Sequence, residues 1–423
     1  MRSGVMVGLV AAALIAAACG GPATGTEVRS HAERQAPDPD MVPQTALANS
    51  AMGADLFHVL AGRTGNFVFS PYAVSTGLAM AAAGAAGTTA DQLGAVQHVT
   101  PGLDLDLGLD TIAQQLDDRE GQRSSTTRRG HVSLDLPVSL WGQKDTRIEQ
   151  PFLDTLSSSF GTGIRLVDFR SDPEASRRSM NTWTRQQSDG SVEELIPRGM
   201  ITDVTRLVVT AAASVQAPWD VPFDLSHSKP APFTTLDGHT VNPVTMEARA
   251  PTGLSYAKSD GWQAVGLPYL GGELEMVVLM PDVGRYADVE QQFDGAKLQR
   301  VLSLLQPAPL DLHLPKFGFT TQANLADVIA QAGAAAPFTP GEADFSGITQ
   351  DEALSISSFP QQAFLSVDED GTVAKATQVV TNRDSSPGGV LTTVDVDRPF
   401  IVMVVDRATD EPLFLGRVVN PVS

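Results

Sequence analysis

Asp368-Glu369-Asp370-Gly371-Thr372-Val373-Ala374-Lys375-Ala376-Thr377-Gln378-Val379-Val380 leads into a polar tip, Asn382-Arg383-Asp384-Ser385-Ser386-Pro387-Gly388-Gly389. No proline occurs from Gly371 to Ser386, so the first part reads as a strand in waiting. Its residues fall into two alternating rows. One row holds Thr372, Ala374, Ala376, Gln378 and Val380, mostly small and uncharged, suited to the inside of a sheet. The other holds Val373, Lys375, Thr377, Val379 and Thr381, with Lys375 on the side that can meet water. Gly371 provides a hinge through backbone angles closed to other residues. The tip carries the punctuation of an exposed loop.

Working outward, Val394-Asp395-Val396-Asp397-Arg398-Pro399-Phe400-Ile401-Val402-Met403-Val404 and the segment from Asp406 to Pro421 read as a closing hairpin. Near the other end, Asn66-Phe67-Val68-Phe69 is a short strand. Ser70-Pro71 then offers an N-cap and a first-turn proline for a helix over Tyr72 to Ala83. Gly84 closes it, and Thr88-Thr89-Ala90-Asp91-Gln92-Leu93 starts another. Val132 to Trp141 alternates as a strand, and Phe152 to Phe169 reads as a helix followed by a strand. Ser176 to Gly190 is an amphipathic helix, and Leu207 to Val215 a fully buried strand. Asp117 to Gly130, with Arg123, Arg128 and Arg129 among acidic neighbours, reads as a solvated loop.

In order and spacing these segments resemble the serpins, the serine-protease-inhibitor family, over about residues 45–423. That resemblance implies an α+β fold with three β-sheets, about eight or nine α-helices and an exposed reactive loop at about 369–392. It implies a monomer acting on a target serine (or cysteine) peptidase as a suicide substrate, with no enzyme activity, cofactor or metal of its own. Cleavage of the tip would free the loop to enter the main sheet and trap the acyl-enzyme. Glu369, Gly371, Thr372, Ala374 and Ala376 would form the hinge. The usual hinge-to-cleavage spacing puts the reactive bond at Ser385-Ser386, with Arg383-Asp384 as the alternative. Ser70, Ala211, Trp219 and Gln361 fall in the region where the sheet opens. Where many serpins pair an asparagine with a histidine, this chain has Ala211 and Gln361, so that polar pair reads as lost. Gln378 exceeds the family's usual threonine, and its amide needs partners once buried.

Composition sets the outer bounds. The 423 residues are 42% hydrophobic and carry a formal net charge of −20, which argues against nucleic acid as a partner. Residues 1–18 read as a signal peptide, with an apolar run from Val5 too short to span a bilayer comfortably. Ala16-Ala17-Ala18-Cys19-Gly20 resembles a bacterial lipobox, which implies a diacylglycerol on Cys19 and an extracytoplasmic, membrane-held or secreted protein. Residues 19–44, poor in large apolar side chains, read as a flexible tether.

Two other classes are weighed. Ser255-Tyr256-Ala257-Lys258 fits the S-x-x-K of penicillin-recognising hydrolases, yet no Lys-Thr-Gly follows. The seven histidines show no H-E-x-x-H spacing. A non-inhibitory serpin serving as substrate, carrier or chaperone is the alternative within the family.

Overall fold

The computed structural model describes residues 24–125, 128–372, 378–379 and 391–422. Among these are nine α-helices and three β-sheets of eleven, nine and two strands. The expected α+β architecture is the one found.

The eleven-stranded sheet is built around Leu207–Pro218, which is buried along almost its whole length. Such burial explains its near-continuous run of apolar and small residues. On one side it pairs antiparallel with Val138–Gln143, which pairs parallel with Ile164–Val167. On the other it runs parallel to Pro360–Val367, which pairs antiparallel with Phe317–Asn324. The expected strand from Val132 to Trp141 is two strands, Arg128–Asp135 and Val138–Gln143, both on Leu207–Pro218. Proline at 137 has no N–H for a ladder, which accounts for the break.

Behind this sheet lies the helix Pro71–Ala82, capped by the Ser70 hydroxyl, which accepts from the Ala73 N–H at 3.2 Å. Gly77 on this helix is required by close packing, because a Cβ there would lie 2.7 Å from Phe359 and Val209. In front lies Pro173–Gln187, whose Met180 and Trp183 join Trp141, Val208 and Ala212 in a separate apolar layer. Leu207–Pro218 thus sends alternate side chains to opposite covered faces: Val208 and Ala212 forward, Val209, Ala211 and Ala213 backward. The nine-stranded sheet carries the closing hairpin Phe400–Asp406 and Glu411–Val418 between the edge strand Phe67–Phe69 and Leu274–Pro281.

Two expectations are corrected. The tether assigned to 19–44 is packed from Thr24 onward. Thr26–Val28 forms an edge strand against Ile164–Val167, and helix Val42–Ala61 begins inside the assigned range. The Gln35 N–H donates to the Ser158 carbonyl at 2.8 Å, and Arg34 meets the buried carboxylate of Asp110 at 2.7 Å. A free sheet edge supplies backbone partners that need no apolar side chain, so composition alone misjudged this segment. The second correction concerns 117–130. Its centre is a strand, Gly121–Ser124, pairing with Arg128–Asp135. Arg128 is 3% exposed rather than solvated.

Candidate functional site: the parted seam of the main sheet

Pro360–Val367 ends in a tight reversal at Asp368–Gly371. The Asp368 carboxylate accepts from the Asp370 and Gly371 N–H groups at 2.9 and 3.2 Å, and the Asp368 N–H donates to the Gly371 carbonyl. Aspartate at the head of such a turn closes it with its own side chain. Gly371–Thr372 then enters the main sheet between Leu207–Pro218 and Pro360–Val367, antiparallel to both. Gly371 stands opposite Pro218, and Thr372 lies between Ala217 and Val367. The glycine is needed here for close approach: a Cβ would sit 2.2 Å from the Ala217 carbonyl oxygen. Its φ is not positive, so unusual backbone angles are not the reason for glycine at this position.

Thr372 is fully buried, and its hydroxyl shares a 2.7 Å hydrogen bond with the Tyr269 hydroxyl. Burial pushes the Tyr269 phenol upward, partly offset by that bond, so it stays neutral. The Tyr269 ring stacks on Trp219 at 4.6 Å between centroids. Trp219 holds the turn from beneath: its indole N–H donates to the Asp368 carbonyl and its backbone N–H to the Asp370 carbonyl, both at 2.9 Å. Glu369 accepts from Ser228 at 2.6 Å and lies 2.5 Å from the Lys316 ammonium. Burial opposes its charge, but these two contacts prevail and hold its carboxyl below the ordinary value.

Arg128 was missed as a site residue. Its guanidinium donates to the Trp219 carbonyl at 2.7 Å and the Asp370 carbonyl at 3.3 Å, and reaches the Asp370 carboxylate at 3.4 Å. Its backbone also pairs with Val379, as Arg129 pairs with Gln378. Burial pulls the Arg128 guanidinium downward, opposed by Asp370 and Asp220. A signal existed: carried back from Val132 and Leu134, the alternation puts Arg128 on the inward row.

Below Thr372 the two flanking strands meet directly. Gln361 to Phe364 stand opposite Ala211 to Ser214 in four parallel register pairs. The Leu207–Pro218 side of this seam is three alanines and a serine, which offer little side-chain contact across it. Ala211 and Gln361 are register partners with no polar pair between them, and the Gln361 amide is satisfied elsewhere. The Gln361 amide accepts from the Ser70 N–H and donates to the Ser70 carbonyl, each at 3.2 Å. A buried glutamine must place its amide somewhere, and the N-terminus of the helix behind supplies both partners.

Ala374, Ala376, Arg383, Asp384, Ser385, Ser386 and Cys19 lie outside the described residues. Ser255 lies within the strand Val244–Ser259 and bonds Glu275 at 3.0 Å. Residues three apart on a strand face opposite ways, so Ser255 and Lys258 do not converge as S-x-x-K chemistry requires.

A two-residue strand, Gly371–Thr372, is wedged between two long strands that pair directly with each other beyond it. The family model described as Serpin (serine protease inhibitor) matches residues 47–421, and the chain belongs to that family. It is 30% identical to a serpin-like protein of Thermococcus kodakarensis over 87% of this chain and 83% of that one. With leukocyte elastase inhibitor A of Rattus norvegicus it shares 29% identity, over 89% of this chain and all of that one. Among solved structures, maspin superposes with a TM-score of 0.80 at 25% identity, covering 90% of this chain and 100% of maspin. Thyroxine-binding globulin in complex with thyroxine gives 0.74 at 24%, covering 89% of this chain and 99% of that one, which is a likeness of fold. Many members of the family inhibit proteases, and some members of the fold do not.

Proposed function

We propose that this chain is a suicide-substrate inhibitor of serine peptidases, and that the parted seam is where its cleaved loop goes. The observation that carries this reading is the register of Thr372 between Ala217 and Val367. Continued along both ladders, it sets Ala374 between Val215 and Leu365, and Ala376 between Ala213 and Ala363. Gln378 then falls between Ala211 and Gln361, register partners in the closed seam. Ala211 leaves the volume a long side chain needs there, and Gln361 offers an amide to bond it. The oversized Gln378 is thereby matched to its destination rather than opposed by it.

Energetics favour the move once the tip is cut. Parting the seam removes four parallel register pairs lined by alanine. The entering strand would make antiparallel ladders on both sides, the slightly stronger pairing, with each hydrogen bond netting about 1 kcal/mol. Before cleavage the tip is tied at both ends, because Thr392–Asp395 is already paired to Gln306–Pro315. In the proposed reaction the peptidase serine attacks the carbonyl of Ser385, with Arg383 the alternative, and an ester forms as the peptide bond breaks. The amine of the following residue leaves, and insertion carries the acyl-enzyme away before water can complete hydrolysis.

Incubation with elastase-, subtilisin- and trypsin-like peptidases tests this. A complex stable to boiling in detergent is expected, with a released C-terminal peptide whose mass gives the reactive bond. A chain that is merely nicked at every ratio would favour the non-inhibitory reading. We also propose that residues 1–18 are removed and Cys19 is lipidated outside the cytoplasm. Since Thr24 already lies against the body, residues 20–23 can place the lipid at most about 15 Å from it. Fatty-acid labelling lost in Cys19→Ala is the expected result.

A further inference from the structure

Glu247, His313 and Asp395 belong to three adjacent strands of the nine-stranded sheet, and they stand directly opposite one another. Glu247 of Val244–Ser259 is the register partner of His313 in Gln306–Pro315. His313 is in turn the partner of Asp395 in Thr392–Asp395, the strand by which the reactive loop returns to the body. Asp311, two residues before His313, shares its face. Glu247, His313 and Asp395, with His227 and Lys229, border an open groove of about 310 Å³, and Asp311 brings a carboxylate within reach of Glu247 and His313.

The histidine ring is oriented as a metal ligand is. Its Nδ1 lies 2.5 Å from the Asp395 carboxylate, so Nδ1 carries the proton and donates it. Nε2 faces the opposite side. There it finds Asp311 Oδ1 at 3.8 Å and Glu247 Oε2 at 3.9 Å, too far for hydrogen bonds. Two ligand atoms bound at 2.0–2.1 Å on a tetrahedral ion are about 3.4 Å apart, so a small closure suffices. One atom of the set is an orphan: Asp311 Oδ1 is buried without a hydrogen-bond partner. The nearest cation, Arg249, lies 3.9 Å from the other oxygen of Asp311 and leaves Oδ1 unmatched.

We propose that His313 Nε2, Asp311 and Glu247 form a zinc-type divalent metal site, with Asp395 as the positioning carboxylate behind the histidine. One imidazole and two carboxylates select zinc over calcium or magnesium, which prefer all-oxygen shells. The carboxylate–histidine–metal arrangement fixes tautomer and ring orientation together. Because Asp395 lies on the loop's return strand, the ion fastens Thr392–Asp395 to its neighbour. The site does not depend on whether the chain inhibits a peptidase. Local spacing could not reveal it, since its ligands meet only through strand register.

The test is titration of the full chain with zinc chloride, with calcium and magnesium chloride as controls. One saturable zinc per chain is expected, with a melting-temperature rise of about 2–5 °C at saturating metal. His313→Ala and Asp311→Asn should each abolish it, and Asp395→Asn should weaken it about 10–100-fold. If His313→Ala fails to fold, Glu247→Gln, which keeps the side-chain shape, carries the same expectation. Amide exchange at 392–395 should slow with zinc in the wild type. No saturable binding, binding that survives His313→Ala or Glu247→Gln, or an equal response to calcium would overturn the site. Zinc bound with unchanged exchange at 392–395 would overturn the fastening.

Discussion

The seam between Leu207–Pro218 and Pro360–Val367 is built differently in its two halves. The upper half is held apart by Gly371–Thr372 and anchored by polar groups: the Tyr269 hydroxyl, the Trp219 indole, the Arg128 guanidinium and the Glu369–Lys316 pair. The lower half is closed backbone to backbone, with alanines on one side and a single glutamine amide turned to the helix behind. In the upper half the entering strand has already exchanged partners. The lower half keeps little that a new strand could not replace. On the proposed function, the half with the fewest side-chain commitments is the one that parts.

The contrast can be broken most severely at Thr372. Thr372→Arg would put an unpaired charge into a fully buried slot, at a cost of several kcal/mol. The expected outcome is a hinge expelled from the sheet and a chain that peptidases nick without forming a stable complex. Retention of the complex would show that the upper half is not the point of entry. Next comes the lower half. Gln361→Leu strands the Ser70 N–H, while the Ser70 carbonyl keeps the Val74 N–H, and should lower stability by about 1–3 kcal/mol in denaturant titration. Gln361→His, which keeps a polar partner, should recover part of that loss.

Ala211 and Gln378 sharpen the comparison further. Ala211→Leu overfills the site to which Gln378 is assigned, and should shift the outcome from complex towards nicked chain by several-fold. A second change, Gln378→Ala, is expected to restore the balance. The smallest effect lies at Glu369, and its sign follows from the depressed carboxyl. A carboxylate held below its unfolded value contributes stability above that value, about pH 4.3, and loses it as pH falls through the folded one. Glu369→Gln should therefore melt a few degrees below wild type at pH 7. The two proteins should converge as the pH falls below the ordinary carboxylate range, and a gap that does not narrow there would contradict the assignment.

Much of this could be read along the chain, and the exceptions share a cause. The Ser70-Pro71 helix start, the buried strand from Leu207 and the inward place of Thr372 are local patterns, visible in a few residues. The partners of Arg128, the Ser70–Gln361 bonds and the Glu247–His313–Asp395 row depend on which strands lie side by side, which no local window contains, although the inward row of Arg128 is itself a local alternation. The segment 24–44 escaped for a related reason. Its order comes from a sheet edge formed by residues more than a hundred positions away, not from its own composition.

The central claim is that the lower seam accepts the strand following Thr372 once the tip is cut. Clipping the purified protein at the tip with a catalytic amount of peptidase, and then measuring its unfolding temperature against the intact chain, tests this directly. Insertion adds two ladders for the one it removes, so the clipped form should unfold more than about 10 °C higher. An unfolding temperature equal to or below that of the intact protein would contradict the account.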